Sequence, residues 1–140
     1  MRGRVEGEQW PKCALLKRFE FINQAALKAY LSLPKSIQYQ FGADLNAVQQ
    51  GKDPFSPHKV LSESVGPGAI ELIENGSPAY RAVYCVKYLD TVFVLHAFEK
   101  TTNGVDHKEM ATAARRYKEM RRRVDALQRH VVASGGTRGK

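Results

Sequence analysis

Apolar residues recur along this chain with two different periods, and the changes of period divide it into elements. The run from Leu15 to Ile22 fits a short strand. Asn23 can then cap a helix to about Leu33, with Ala26, Leu27, Tyr30, Leu31 and Leu33 as its apolar face. Pro34 interrupts that helix. A second helical pattern runs to about Gln50, with Ile37, Phe41, Leu45 and Val48 at steps of four, four and three, and Gly51 stands where a helix-ending glycine belongs. Residues 51–68, punctuated by Pro54, Pro57 and Gly66-Pro67-Gly68, predict a loop without a regular element. Three strands follow: Ala69 to Glu74, Ala79 to Tyr88 and Thr91 to Lys100, turning at Asn75-Gly76 and near Leu89-Asp90. From about Asp106 to Val131, Met110, Ala113, Tyr117, Met120, Val124, Leu127 and Val131 alternate by three and four, one apolar stripe on a charged helix. Its first half is expected in the core, and its second half, around Arg121-Arg122-Arg123, to project.

Helices, then a meander, then a helix predict an α+β fold, with helices covering one face of a small antiparallel sheet. The 140 residues suit one domain. The expected division is an irregular segment over 1–14, a single domain over 15–132 and a flexible basic tail over 133–140.

Composition adds exclusions. At 43% hydrophobic and 26% charged residues, the chain is neither disordered nor membrane-like. The longest apolar stretch, Thr91 to Phe98, is far too short to span a bilayer, and no secretory signal is visible. Cys13 and Cys85 form no C-x-x-C pair and no His cluster stands at ligand spacing, so neither a disulfide framework, a metal site nor a cofactor is expected. Both cysteines read as reduced thiols in a cytoplasm. Asn75-Gly76-Ser77, followed by Pro78, reads as a turn rather than a glycosylation acceptor.

Charge changes the picture more. Of the net charge of +8, residues 110–140 carry nine Lys/Arg against two Asp/Glu. A basic C-terminal segment steers a protein toward polyanions, chiefly nucleic acid or the ribosome, or is simply a solvated helix face.

If the last hairpin turns on Leu89-Asp90, Val83 opposes His96 and Arg81 opposes Phe98. Arg81, His96, Phe98 and Lys100 then share one face, while Ala82, Tyr84, Val86, Phe93, Leu95 and Ala97 share the other. Cations, a proton carrier and an aromatic ring are what a metal-independent ribonuclease uses when a ribose 2′-hydroxyl attacks the adjacent phosphorus. Strands also carry Arg and Lys for purely structural reasons, and His96 within an apolar run suits burial.

Several of these segments together resemble a known family. Tyr80-Arg81-Ala82-Val83-Tyr84, Val94 to Thr101, and the following Glu109, Ala113 and Arg116 are similar to the phage-derived, HigB-like branch of the RelE/ParE toxin superfamily. Leu31 to Pro34, Phe41 to Leu45, Gln49-Gln50-Gly51, Lys59-Val60-Leu61 and Gly68 to Leu72 follow the same order, so the resemblance covers about residues 15–120. It implies a compact α+β fold with two N-terminal helices packed on an antiparallel sheet, whereas the long C-terminal helix, beyond about Met120, exceeds the usual family length. It also implies mRNA cleavage, in many relatives on the ribosome, and neutralisation by a helix-turn-helix antitoxin through which the pair reaches operator DNA; no membrane partner is implied.

Carried over by position, Arg81 matches a strand arginine near the scissile phosphate and Lys100 the basic residue after the family's Phe, here Phe98. Lys59 matches a loop lysine that positions RNA, and Glu71 an acidic strand residue. His96 or Glu71 would handle the proton and Arg116 would contact RNA; beyond the family's usual length, Arg121-Arg122-Arg123 either adds RNA contacts or is a solvated helix end. Two positions depart: Ile73 and Glu99 stand where the family usually has cations. That departure leaves room for a second reading, a non-nucleolytic protein of the same fold, either a gyrase inhibitor or an antitoxin-bound regulator.

Overall fold

The computed structural model describes residues 16–139, and the side chains of residues 16–130. The chain order is β1 (Arg18–Phe21), α1 (Gln24–Leu31), α2 (Lys35–Gln49), β2 (His58–Val60), β3 (Ala69–Glu74), β4 (Ala79–Cys85), β5 (Thr91–Lys100) and α3 (His107–Gly139). Met1 to Ala14, Cys13 among them, and Leu15 lie outside the described residues.

The helix ends follow the sequence chemistry. Asn23 Oδ1 accepts from Ala26 N–H at 2.8 Å, capping α1, and its amide donates to Glu119 at 2.9 Å, tying α1 to α3. Gln38 reaches back from α2 to the carbonyls of Leu31 (3.1 Å) and Leu33 (2.8 Å), so the joint around Pro34 is closed from its C-terminal side. At the end of α2, Gly51 takes φ 82°. Its N–H donates to Val48 and that of Lys52 to Ala47, each at 2.9 Å, which satisfies two orphan carbonyls in a paired C-terminal cap.

All five strands form one sheet in the order β1-β5-β4-β3-β2. The expected antiparallel sheet is in fact mixed, because β1 pairs in parallel with β5, Arg18 opposite Thr91 and Phe21 opposite Val94. The segment 51–68 also departs from expectation. It holds β2, three residues antiparallel to β3, so Lys59 sits on a strand opposite Glu71 rather than in a loop. Three residues between Pro57 and Gly66 are too few to produce a readable alternation. What places them is Asp44, fully buried on α2, whose Oδ1 accepts from Phe55 N–H (2.8 Å) and Ser56 N–H (2.9 Å).

Helices cover both faces of the sheet, not one. Phe41, Leu45 and Val48 of α2 pack with Leu72, Ala82, Tyr84, Val92 and Val94 on one face. Ala113, Tyr117, Met120 and Val124 of α3 pack with Val83, Cys85, Phe93 and Leu95 on the other. Leu127 is already exposed, so α3 leaves the core after Val124 and continues to Gly139, past the expected end near Val131.

The hairpin between β4 and β5 keeps the expected pairs Val83–His96 and Arg81–Phe98 but then slips, pairing Tyr84 with Val94. The β-bulge inserts Leu95, so Leu95 and Phe93 turn to the α3 face and Val92 and Val94 take the α2 face. This corrects the assignment of Phe93 and Leu95 to the face of Ala82 and Tyr84. The turn itself is Leu89-Asp90, with φ 56° and 53° and Thr91 N–H donating to Tyr88 O at 3.1 Å. Both residues occupy the left-handed region, which disfavours a leucine. Leu89→Asn should therefore stabilise the protein by about 0.5–1 kcal/mol, read as a higher urea midpoint with an unchanged m-value.

Candidate functional site

Strand register places the candidate residues. Lys59, Glu71, Val83 and His96 lie in one row across the sheet, and Ile73, Arg81 and Phe98 in the next. Lys100 follows one step further along β5. Since side chains alternate, these positions share the face that α3 covers. Beyond the first turn of α3 they enclose a cleft of about 280 Å³, lined by Lys59, Glu71, Arg81, Phe98 and Lys100 together with Ile73, Met110 and the loop 104–106.

Glu71 is the most constrained group in it. Its carboxylate is buried, and among the described residues its ion-pair partner is Lys59, 3.9 Å away. Burial raises its pKa above the ordinary carboxylate value, and the charges of Lys59, Arg81 and Lys100 pull it part of the way back. A carboxylate in that condition is a stronger base than one in water. Arg81 is buried and held by the β3–β4 connection: its guanidinium donates to Glu74 O (3.2 Å), Tyr80 O (2.9 Å) and Asn75 Oδ1 (3.1 Å). Lys100 donates to Gly104 O, fastening the loop before α3 to the lip of the cleft. A second, more polar cleft of about 530 Å³ adjoins the first and shares Arg81, Lys100 and Gly104 with it. Asn75, Ser77 and Thr101 to Asn103 line its far side.

His96 is not part of this cleft. It is buried beneath α3, with Nε2 at 2.6 Å from Glu109 and Nδ1 at 2.9 Å from Arg116. Arginine has only donors, so Nδ1 carries the lone pair and Nε2–H donates to Glu109, a neutral imidazole. Burial, the largest influence, lowers its pKa; the bond to Glu109 opposes that, while Arg116 and Arg115 reinforce it. His96 also stacks on Phe98, with ring centroids 5.3 Å apart. Its place is between sheet and helix, and Phe98, itself buried, forms the cleft wall rather than an open platform.

The arginines of α3 divide. Arg116 bonds Leu95 O (3.2 Å) and His96; Arg121 pairs with Asp125 (2.9 Å) and lies 4.2 Å over the Tyr88 ring. Arg123 binds Glu20 (3.1 Å) and Ile22 O (2.6 Å), whereas Arg122 is exposed. Of the two departures from the family pattern, Ile73 lies in the cleft, but Glu99 pairs with Tyr80 and is exposed, one position out of register with the cleft-lining Phe98 and Lys100. Only Ile73 therefore reduces the positive charge of the site. Sequence reasoning missed Asn75 as the anchor of Arg81, Asp44 as the anchor of the segment before β2, and Asp106 and Met110 at the cleft rim.

Cys85 is buried, which raises its thiol pKa and keeps it unreactive. Among the described residues no cluster of three or more His, Cys, Asp or Glu is placed to hold a metal ion, and no helix is long and apolar enough to cross a membrane.

An α+β domain with a basic cleft around one buried carboxylate is thus the class of protein that this sequence builds. The chain belongs to the family described as phage derived protein Gp49-like (DUF891), whose model matches residues 28–118, a toxin-like family associated with toxin-antitoxin systems. No curated protein and no solved structure matches the chain.

Proposed function

We propose that this protein is the toxin of a type II toxin-antitoxin pair, of the RelE/HigB kind, and cleaves mRNA in the cytoplasm, on translating ribosomes. The observation that carries the reading is the convergence of Lys59, Arg81 and Lys100 on the buried Glu71. Glu71 takes the proton from a ribose 2′-hydroxyl. The freed oxygen attacks the adjacent phosphorus, and Arg81, Lys59 and Lys100 balance the charge gathering on the phosphoryl oxygens. The bond to the 5′-oxygen breaks, that oxygen takes a proton from water at the cleft mouth, and a 2′,3′-cyclic phosphate remains. The adjoining cleft along Asn75 and Thr101 to Asn103 takes the nucleotide next to the scissile one. In place of a proton carrier, His96 is a positioning residue, holding α3 against the sheet and supporting the ring of Phe98. The domain spans residues 15–132, and a helix-turn-helix antitoxin neutralises it and brings the pair to operator DNA.

Mapping mRNA 5′ ends minutes after induction tests the reading: new ends inside coding regions, in phase with codons, are expected. Lys100→Ala should lower cleavage about 10²-fold and relieve growth arrest. Because Lys100 is partly exposed, stability should stay within about 0.5 kcal/mol. Full toxicity in that variant would sink the assignment. Ile73 in the cleft favours the second reading, a non-nucleolytic binding protein such as a gyrase inhibitor, whose mark is loss of supercoiling activity with cellular mRNA intact.

A further inference from the structure

The outer face of α3 carries an uninterrupted line of cations. Lys108, Arg115, Lys118, Arg122 and Arg129 follow one another at steps of seven, three, four and seven, spacings that return to one side of a helix. All five are exposed, and among the described residues none forms an ion pair. They stand opposite the buried Ala113, Tyr117, Met120 and Val124, and the helical positions between them are filled by the small Ala111 and Ala126. At 1.5 Å per residue the line is about 30 Å long. It starts beside Asp106 and Met110 at the rim of the cleft and runs outward along the part of α3 that leaves the core.

Arg116, Arg121 and Arg123, by contrast, spend their donors on the protein itself. Among the described residues, the exposed basic character of α3 is therefore concentrated in this line.

We infer that the exposed line Lys108–Arg115–Lys118–Arg122–Arg129 is a docking rail for the phosphate backbone of double-helical RNA, separate from the cleft that receives the single strand. It rests on the RNA reading of the cleft only for the choice of polyanion. A protein partner would be expected to meet apolar or aromatic anchors, and the rail offers none; a phosphate backbone needs only spaced cations. Double-helical RNA presents its phosphates as a continuous surface, and a straight helix can follow it over several contacts.

The test uses the full chain and a fluorescent 20-base-pair RNA duplex with 2′-O-methyl sugars, which binds but offers no attacking 2′-oxygen. For native protein, the logarithm of the affinity should fall with the logarithm of salt concentration with a slope of about −4, as expected for five phosphate contacts. The variant R115Q/K118Q/R129Q keeps good helix formers at solvated positions and should melt as the native chain does. It should bind at least about 100-fold more weakly at 0.1 M salt, with a slope shallower by about three. Its cleavage of a free single-stranded oligonucleotide should match the native rate, since none of the three residues lines the cleft. An unchanged slope overturns the rail, and so does a polyglutamate peptide that displaces the duplex at equal charge concentration, which would mark an acidic protein as the partner. Duplex binding is read without cleavage, so a protein that proves not to be a nuclease leaves this result standing, and a failed rail leaves the cleft standing.

Discussion

Glu71→Gln should abolish RNA cleavage and at the same time make the protein more stable at neutral pH. The loss follows from the role proposed for it: a positioned general base contributes about 10² to 10⁴ in rate, and glutamine cannot accept the 2′-proton. The gain follows from its surroundings. Burial holds the pKa of Glu71 above its unfolded value, so the folded state favours the protonated form. Whatever stability this contributes is fully present below the unfolded pKa of about 4.5 and is lost as pH rises through the raised folded pKa. At neutral pH the native protein therefore bears the cost of an ionised, buried carboxylate whose nearest cation, Lys59, is largely solvated. Glutamine removes that cost. Melting curves of the two proteins should differ by a few degrees at pH 7 in favour of the variant and converge below pH 4.5, while native cleavage should fall as pH drops through the raised pKa. A variant that melts lower than the native chain at pH 7 would show that Glu71 stabilises the fold and is no poised base.

Gly66→Ala should cost about 2–4 kcal/mol, although it adds a single methyl group in a turn. A Cβ at Gly66 would lie 2.4 Å from Cε1 and 2.5 Å from Cζ of Tyr117. That ring cannot retreat cheaply. It is buried in α3, its hydroxyl donates to Pro67 O at 2.6 Å, and it meets the Tyr88 hydroxyl at 3.2 Å. Overpacking of this kind costs about 1–3 kcal/mol, and the displaced hydroxyl adds about 1 kcal/mol more. For a domain of this size the melting temperature should drop by about 10 °C. The double variant Gly66→Ala/Tyr117→Leu should recover part of the loss, which separates a steric cause from a change in the turn itself. Equal melting temperatures for native and Gly66→Ala would mean that Tyr117 is free to move.

Much of the site was legible because strand alternation is a strict rule. Once Arg81 was set opposite Phe98, the period of two carried Lys100 to the same face. Glu71, on a strand already read from the sequence, and Lys59 were reached instead through family resemblance; for Lys59 the reason is that a three-residue strand between prolines has no period to read. The errors have physical sources as well. The bulge at Leu95 cannot be foreseen from composition, because Phe93, Val94 and Leu95 satisfy either face equally well, and the slip moved Phe93 and Leu95 under α3. His96 fits a proton carrier by type and register but a buried side chain by its apolar neighbours; the choice turns on the third dimension, which brings Glu109 and Arg116 onto its two nitrogens. The parallel pairing of β1 was invisible for a related reason, since its partner lies 73 residues away and no local pattern names it.

That pairing also bears on the order in which the cleft is put together while the chain is being made. β5 occupies the sheet between β1 and β4, yet it is the last of the described strands to be made, and α3, whose Met110 lines the cleft, follows it. A nascent chain holding everything up to Cys85 has Lys59, Glu71 and Arg81 but lacks Phe98, Lys100 and Met110, and its first strand still has no neighbour. Contacts that span most of the sequence form late and slowly. The cleft is therefore completed only once β5 and the first turn of α3 have been made, and the RNA cleavage proposed above would begin no earlier than that.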